Sequence, residues 1–153
     1  MGGMAVGILD MRREARAAIL RKEFDDVMGR MRNANPADRS TFLNHVHQTI
    51  DHVIGFYSSA SVPRRKAFLK KMRRVSLELW SSGDWPSALG LGISCLNAES
   101  RFVPGEDAAY VKIETDRIVT EASEVLNRSM SRANSRNEAR FLNLGEQSIS
   151  SPR

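Results

Sequence analysis

Three prolines punctuate this chain in a way that leaves little choice of secondary structure. Asn35-Pro36, Ser61-Val62-Pro63 and Asp84-Trp85-Pro86 each set a capping side chain one or two residues ahead of a proline. Asn, Ser and Asp accept hydrogen bonds from first-turn N–H groups, and the fixed φ of proline suits a first turn, so each group reads as a helix start. The apolar residues that follow keep the helical period. Behind Pro36, one face carries Phe42, Val46, Ile50, Val53 and Tyr57, widened by Leu43 and Ile54. Behind Pro63, Phe68, Met72, Val75 and Leu79 recur at i, i+4, i+7 and i+11, and Gly83 is the natural stop.

Two further segments show the same period. Ala17, Leu20, Phe24, Val27, Met28 and Met31 predict a first helix from Asp10 to Arg32, with Asp10 as its cap. Val111, Ile118, Ala122 and Val125 predict a fifth from about Glu106 to Arg128. The segment behind Pro86 reads two ways. Leu89, Ile93 and Leu96 share a helical face, while Leu89, Leu91 and Ile93 also alternate as in a strand. No second strand is available to satisfy its backbone, so helix is the prediction. Ala88, Gly92 and Cys95 beside that face suit a close helix crossing, within the core or in a homodimer.

Five helices with short connections predict an all-α fold, a single bundle over residues 1–128. Residues 129–153 turn to Ser, Asn and Arg and read as a flexible C-terminal tail, disordered or partly helical. With 153 residues, 41% of them apolar, the chain has enough material for a core. The single cysteine, Cys95, excludes a disulfide scaffold. No apolar run approaches the ~20 residues of a transmembrane helix. Met4 to Leu9 is too short for a signal h-region and the basic residues follow it, so a cytoplasmic location is expected.

The net charge of +5 is local in origin. Residues 63–105 hold eight cations and three acids, whereas the two flanking stretches are nearly balanced. Arg64, Arg65, Lys66, Lys70, Lys71, Arg73 and Arg74 put seven cations into eleven residues of the third helix with no acid between them. At 100° per residue, Lys66, Lys70 and Arg73 fall opposite Phe68, Met72 and Val75. Like charges at i, i+4 cost a helix a few tenths of a kcal/mol per pair, so an anion nearby is expected.

Three sources of that anion suggest themselves. The first is internal: Glu106, Asp107, Glu114, Asp116, Glu121 and Glu124 make the fifth helix acidic, and it would lie against the third. The second is nucleic acid, whose phosphates Lys and Arg bind without regard to sequence, although no base-reading motif occurs. An anionic membrane surface is the third. In the tail, Arg128, Arg132, Arg136 and Arg140 recur every four residues and would form a secondary cationic ribbon if helical.

Catalytic signals are weak. His45, His47 and His52 share one helix; His47 and Asp51 would offer a metal two ligands, and nothing completes the set, so no metal or cofactor is implied. Cys95 sits in a predicted core helix, where a thiol is inert. No P-loop, H-E-x-x-H or G-x-S-x-G is present. The sequence therefore predicts a non-enzymatic, adaptor-type binding protein that uses residues 64–74 to contact an acidic protein surface. Nucleic acid bound through the same helix and the Arg tail is the alternative, and a small helical enzyme ranks third.

Overall fold

The computed structural model describes the backbone from Gly2 to Ile149, with side-chain surroundings from Arg12 to Arg136 apart from Ala133. Five helices follow one another: α1 (Gly2–Arg32), α2 (Pro36–Ser59), α3 (Val62–Ser81), α4 (Trp85–Ser100) and α5 (Glu106–Ile149). No strand occurs among the described residues, so the segment behind Pro86 is a helix. The chain divides into two units, Met1–Ala122 and Ser123–Arg153. The first is a helical bundle, and the second contains the later part of α5.

Two ends differ from the sequence reading. α1 begins at Gly2, which leaves Asp10 inside the helix instead of capping it. An interior Asp costs a helix well under 1 kcal/mol, so a capping residue is no barrier to continuation. α5 runs on past Arg128 to Ile149. The apolar period fades there, but no proline lies between Pro104 and Pro152, so nothing in that stretch breaks the backbone.

α4 is the hub of the bundle and packs on α1, α2 and α3. Most of its length is buried, including Ala88, Gly90, Leu91, Ile93, Ser94, Leu96, Asn97 and Ala98. Around it lie Ala17, Leu20, Phe24, Val27 and Met31 of α1 and Phe42, Leu43, Val46, Ile50, Val53 and Tyr57 of α2. α3 is the least embedded of the elements that touch α4. Phe68 is its one buried residue, while Met72, Val75 and Leu79 are half-buried against Val53, Tyr57, Leu91 and Ala98.

Two of the three caps form where the sequence sets them. Asn35 Oδ1 accepts from the Asp38 N–H at 2.8 Å and Asp84 Oδ1 from the Ser87 N–H at 3.2 Å. Ser61 starts α3 without a side-chain cap bond. α3 ends on Gly83, whose φ of +87° is open to glycine at little cost. The Gly83 N–H bonds the Trp80 carbonyl at 3.0 Å and the Asp84 N–H bonds the Leu79 carbonyl at 2.9 Å, the paired pattern of a Schellman stop. Asp84 therefore closes α3 and opens α4.

The close crossing falls at Gly90 and not along the Ala88, Gly92, Cys95 stripe. A Cβ on Gly90 would stand 2.9 Å from the Phe42 carbonyl oxygen and 3.0 Å from the His45 Cβ. A Cβ on Gly92 would meet nothing within 4 Å. The stripe cannot serve the α2 crossing because that contact uses the face two residues away. A polar seam runs beside the crossing: the Thr49 and Ser94 hydroxyls lie 2.8 Å apart, and Thr49 donates to the His45 carbonyl at 2.8 Å.

Candidate functional site

α3 and α1 both lean on α4, and between them a groove opens over the C-terminal half of α4. Its inner part is a slot of about 160 Å³ walled by Val27, Leu69, Met72 and Leu96, with Gly92 and Cys95 at its base. Its outer part, of about 670 Å³, is bordered by Tyr57, Val62, Leu69, Phe102 and Val103. Arg16, Leu69, Arg73 and Glu99 belong to both parts, so the two adjoin. At the far end of α3, the Arg30 guanidinium lies 4.8 Å from the Trp80 ring centroid and joins α1 to α3.

The seven predicted cations sort into three roles. Lys66, Lys70 and Arg73 border the groove and are exposed. The sequence reading set these three opposite the apolar stripe; in the fold they flank an apolar recess. Arg64, Lys71 and Arg74 are exposed and line neither part of the groove. Arg65 turns inward: its Nε donates to the Tyr57 carbonyl at 2.8 Å, and its guanidinium lies 3.9 Å from the Phe102 ring centroid and 5.3 Å from that of Tyr57. Two aromatic faces and a carbonyl hold this cation at the groove's mouth.

None of the seven forms an ion pair among the described residues. The acidic face of α5 is used elsewhere, which corrects the internal-partner expectation. Asp107 pairs with Arg21 of α1 at 3.1 Å and Glu121 with Arg39 of α2 at 2.7 Å. Asp116 takes Arg101 at 3.1 Å and Lys112 at 3.3 Å, and Glu114 takes Arg117 at 3.0 Å. Burial raises the Asp116 pKa, but the Asn97 amide, Lys112 and Arg101 outweigh it and hold the carboxyl below its ordinary range. The Asn97 amide, fully buried, donates at 2.8 Å to both Thr115 and Asp116 and so ties α4 to α5.

Glu99 at the groove floor was missed in the sequence. It is the one charged side chain of α4 and is nearly buried, and Arg16 of α1 donates to it from Nε. A lone acid in an otherwise uncharged helix was the available signal. Burial opposes the charge on Arg16, but the bond and field of Glu99 outweigh it and raise its pKa above the ordinary guanidinium value.

Cys95 is a poor nucleophile. Burial, with Glu99 adding to it against Arg73, pushes its thiol up to about 12. None of the three histidines lines the slot beside it. His45 is half-buried at the Gly90 crossing, and burial lowers its pKa against the pull of Asp84. No group of three or more His, Cys, Asp and Glu among the described residues is arranged to hold a metal ion. No helix among them is long and apolar enough to cross a membrane.

In the second unit, Arg128 lies 3.6 Å from Glu124 and is exposed, as are Arg132 and Arg136. Arg140 belongs to the helical backbone, and its side chain lies outside the described residues. Comparison with protein-family models, curated proteins and solved structures finds no match for this chain.

Proposed function

We propose that this chain is a non-enzymatic, adaptor-type protein whose helix α3 receives an acidic protein partner. The observation that carries the reading is the absence of any carboxylate paired with Arg64, Lys66, Lys70, Lys71, Arg73 or Arg74 among the described residues, beside a recess lined by apolar side chains. Open cations next to apolar surface suit a protein partner better than bare phosphate, which uses only the charge.

The triple variant Lys66→Glu, Lys70→Glu, Arg73→Glu tests it. All three side chains are exposed, so the bundle stays folded while the field reverses. A complex isolated from cell extract with the unaltered chain survives nuclease and is lost with the variant. Retention of that complex by the variant removes α3 as the site.

Nucleic acid remains the second reading, and one observation favours it. The helix continues beyond Arg128, so Arg132 and Arg136 stand one turn apart on a helical backbone. That reading predicts gel retardation of RNA or DNA with a steep salt dependence, and truncation after Arg128 weakens it.

A further inference from the structure

Resting on the reading of α3 as a docking face for an acidic partner, the geometry points to a more specific occupant. It is one amphipathic helical segment of the partner, acidic along its flank, with an apolar side chain seated in the slot beside Gly92 and Cys95.

The slot supplies the anchor site. Val27, Leu69, Met72 and Leu96 give it apolar walls, and the open space above Gly92 leaves its base unfilled. At about 160 Å³ it is comparable to the ~150 Å³ apolar cavities that take up a benzene ring. One leucine or methionine side chain is the natural fill. The groove runs along α3 from Val62 to Ser76. At 1.5 Å per residue that is about 20 Å, close to four helical turns.

The rim selects for several acids on a regular spacing. Lys66, Lys70 and Arg73 border the outer groove over about 10 Å of helix. One carboxylate head group, such as that of a fatty acid, reaches one of them. Acids at i, i+4 and i+7 of a second helix match all three. Within the groove, Glu99 is already taken by Arg16, and the other lining acid is Glu23. Lys66, Lys70 and Arg73 outnumber the exposed Glu23, so the net unpaired charge lining the groove is positive, complementary to an acidic flank.

The probe is a synthetic helical peptide of about 15 residues, long enough to run the groove, with Glu at i, i+4 and i+7 and a leucine stripe beside them. It is titrated into the full chain and followed by fluorescence polarisation and by the NMR shifts of the Gly92 amide and the Met72 methyl. The expected result is movement of both signals, with binding about thirtyfold weaker when the leucines become serine, the size of a buried anchor's contribution. Gly92→Leu, which fills the slot from below, weakens binding to a similar degree. The NMR signals come from the unaltered chain, so they decide the matter even if that variant does not fold.

If the serine peptide binds as tightly and Gly92 stays still, α3 holds acids by charge alone; the proposed function stands and the anchored helix is wrong. Laurate that moves Gly92 and displaces the peptide makes the slot a site for free amphiphiles, which also overturns the inference. If no acidic peptide binds and charge reversal leaves the cellular complex intact, both readings fall together.

Discussion

Arg16 of α1 donates to the carboxylate of Glu99 in α4 across 83 residues of sequence, and no other charged side chain lies in α4. The pair sits where the groove meets the bundle's interior, so it links the stability of the hub to the shape of the site.

Arg16→Ala leaves a nearly buried carboxylate without its counter-ion. The expected loss is about 3 kcal/mol, because an unpaired buried charge costs more than the pair contributes. Joint replacement by Arg16→Met and Glu99→Leu recovers most of it. Urea unfolding of the parent and the two variants checks both statements, and an Arg16→Ala protein as stable as the parent would show that water already satisfies Glu99.

The two glycines of α4 predict opposite outcomes for the same substitution. Gly90→Ala forces a Cβ against the Phe42 carbonyl and destabilises by about 1–3 kcal/mol. Gly92→Ala meets open space and stabilises by about 0.5–1 kcal/mol through helix propensity. Thermal melts of the pair separate a packing glycine from a merely small one.

His45 makes stability depend on pH on the mildly acidic side. Burial lowers its pKa in the folded chain below the ordinary 6.5, so the unfolded chain binds more protons just below that value. Its contribution is intact above 6.5 and declines as pH falls toward the folded pKa. His45→Asn removes this slope, as read by urea midpoints across the interval.

Asp116 acts further down the scale. Burial raises its pKa, but the Asn97 amide, Lys112 and Arg101 more than offset this and depress it from 3.8. Its contribution is present above that value and is lost as pH falls through the folded pKa. Asp116→Asn therefore flattens the acid limb of the stability curve while the decline assigned to His45 persists.

Cys95 resists alkylation while the chain is folded. With its thiol at about 12 instead of 9.0, little thiolate exists at pH 8. Iodoacetamide should react at least about thirtyfold more slowly than with the urea-unfolded chain, allowing for the greater nucleophilicity of a more basic thiolate. Equal rates in the two states would mean that burial does not hold the thiol above its ordinary range.

What could be read in advance depended on how local the cause was. The caps at Asn35 and Asp84, the stop at Gly83 and the cationic density of α3 rest on neighbouring residues, and each appears in the fold. The sequence reading ends α5 too early, at Arg128, and gives the tail as disordered or partly helical, because fading apolar spacing reports lost packing and says little about backbone that nothing interrupts. Between Gly90 and Gly92 only the approach of α2 decides which is the crossing, and no local pattern carries that information. The groove is less legible still. Val27, Leu69, Gly92 and Phe102 come from separate elements, and their meeting depends on tertiary packing alone.

Asp84 belongs to two helices at once, so the elbow between α3 and α4 contains no slack. The cation-bearing wall cannot slide along the hub without surrendering its own terminator and its neighbour's first turn together.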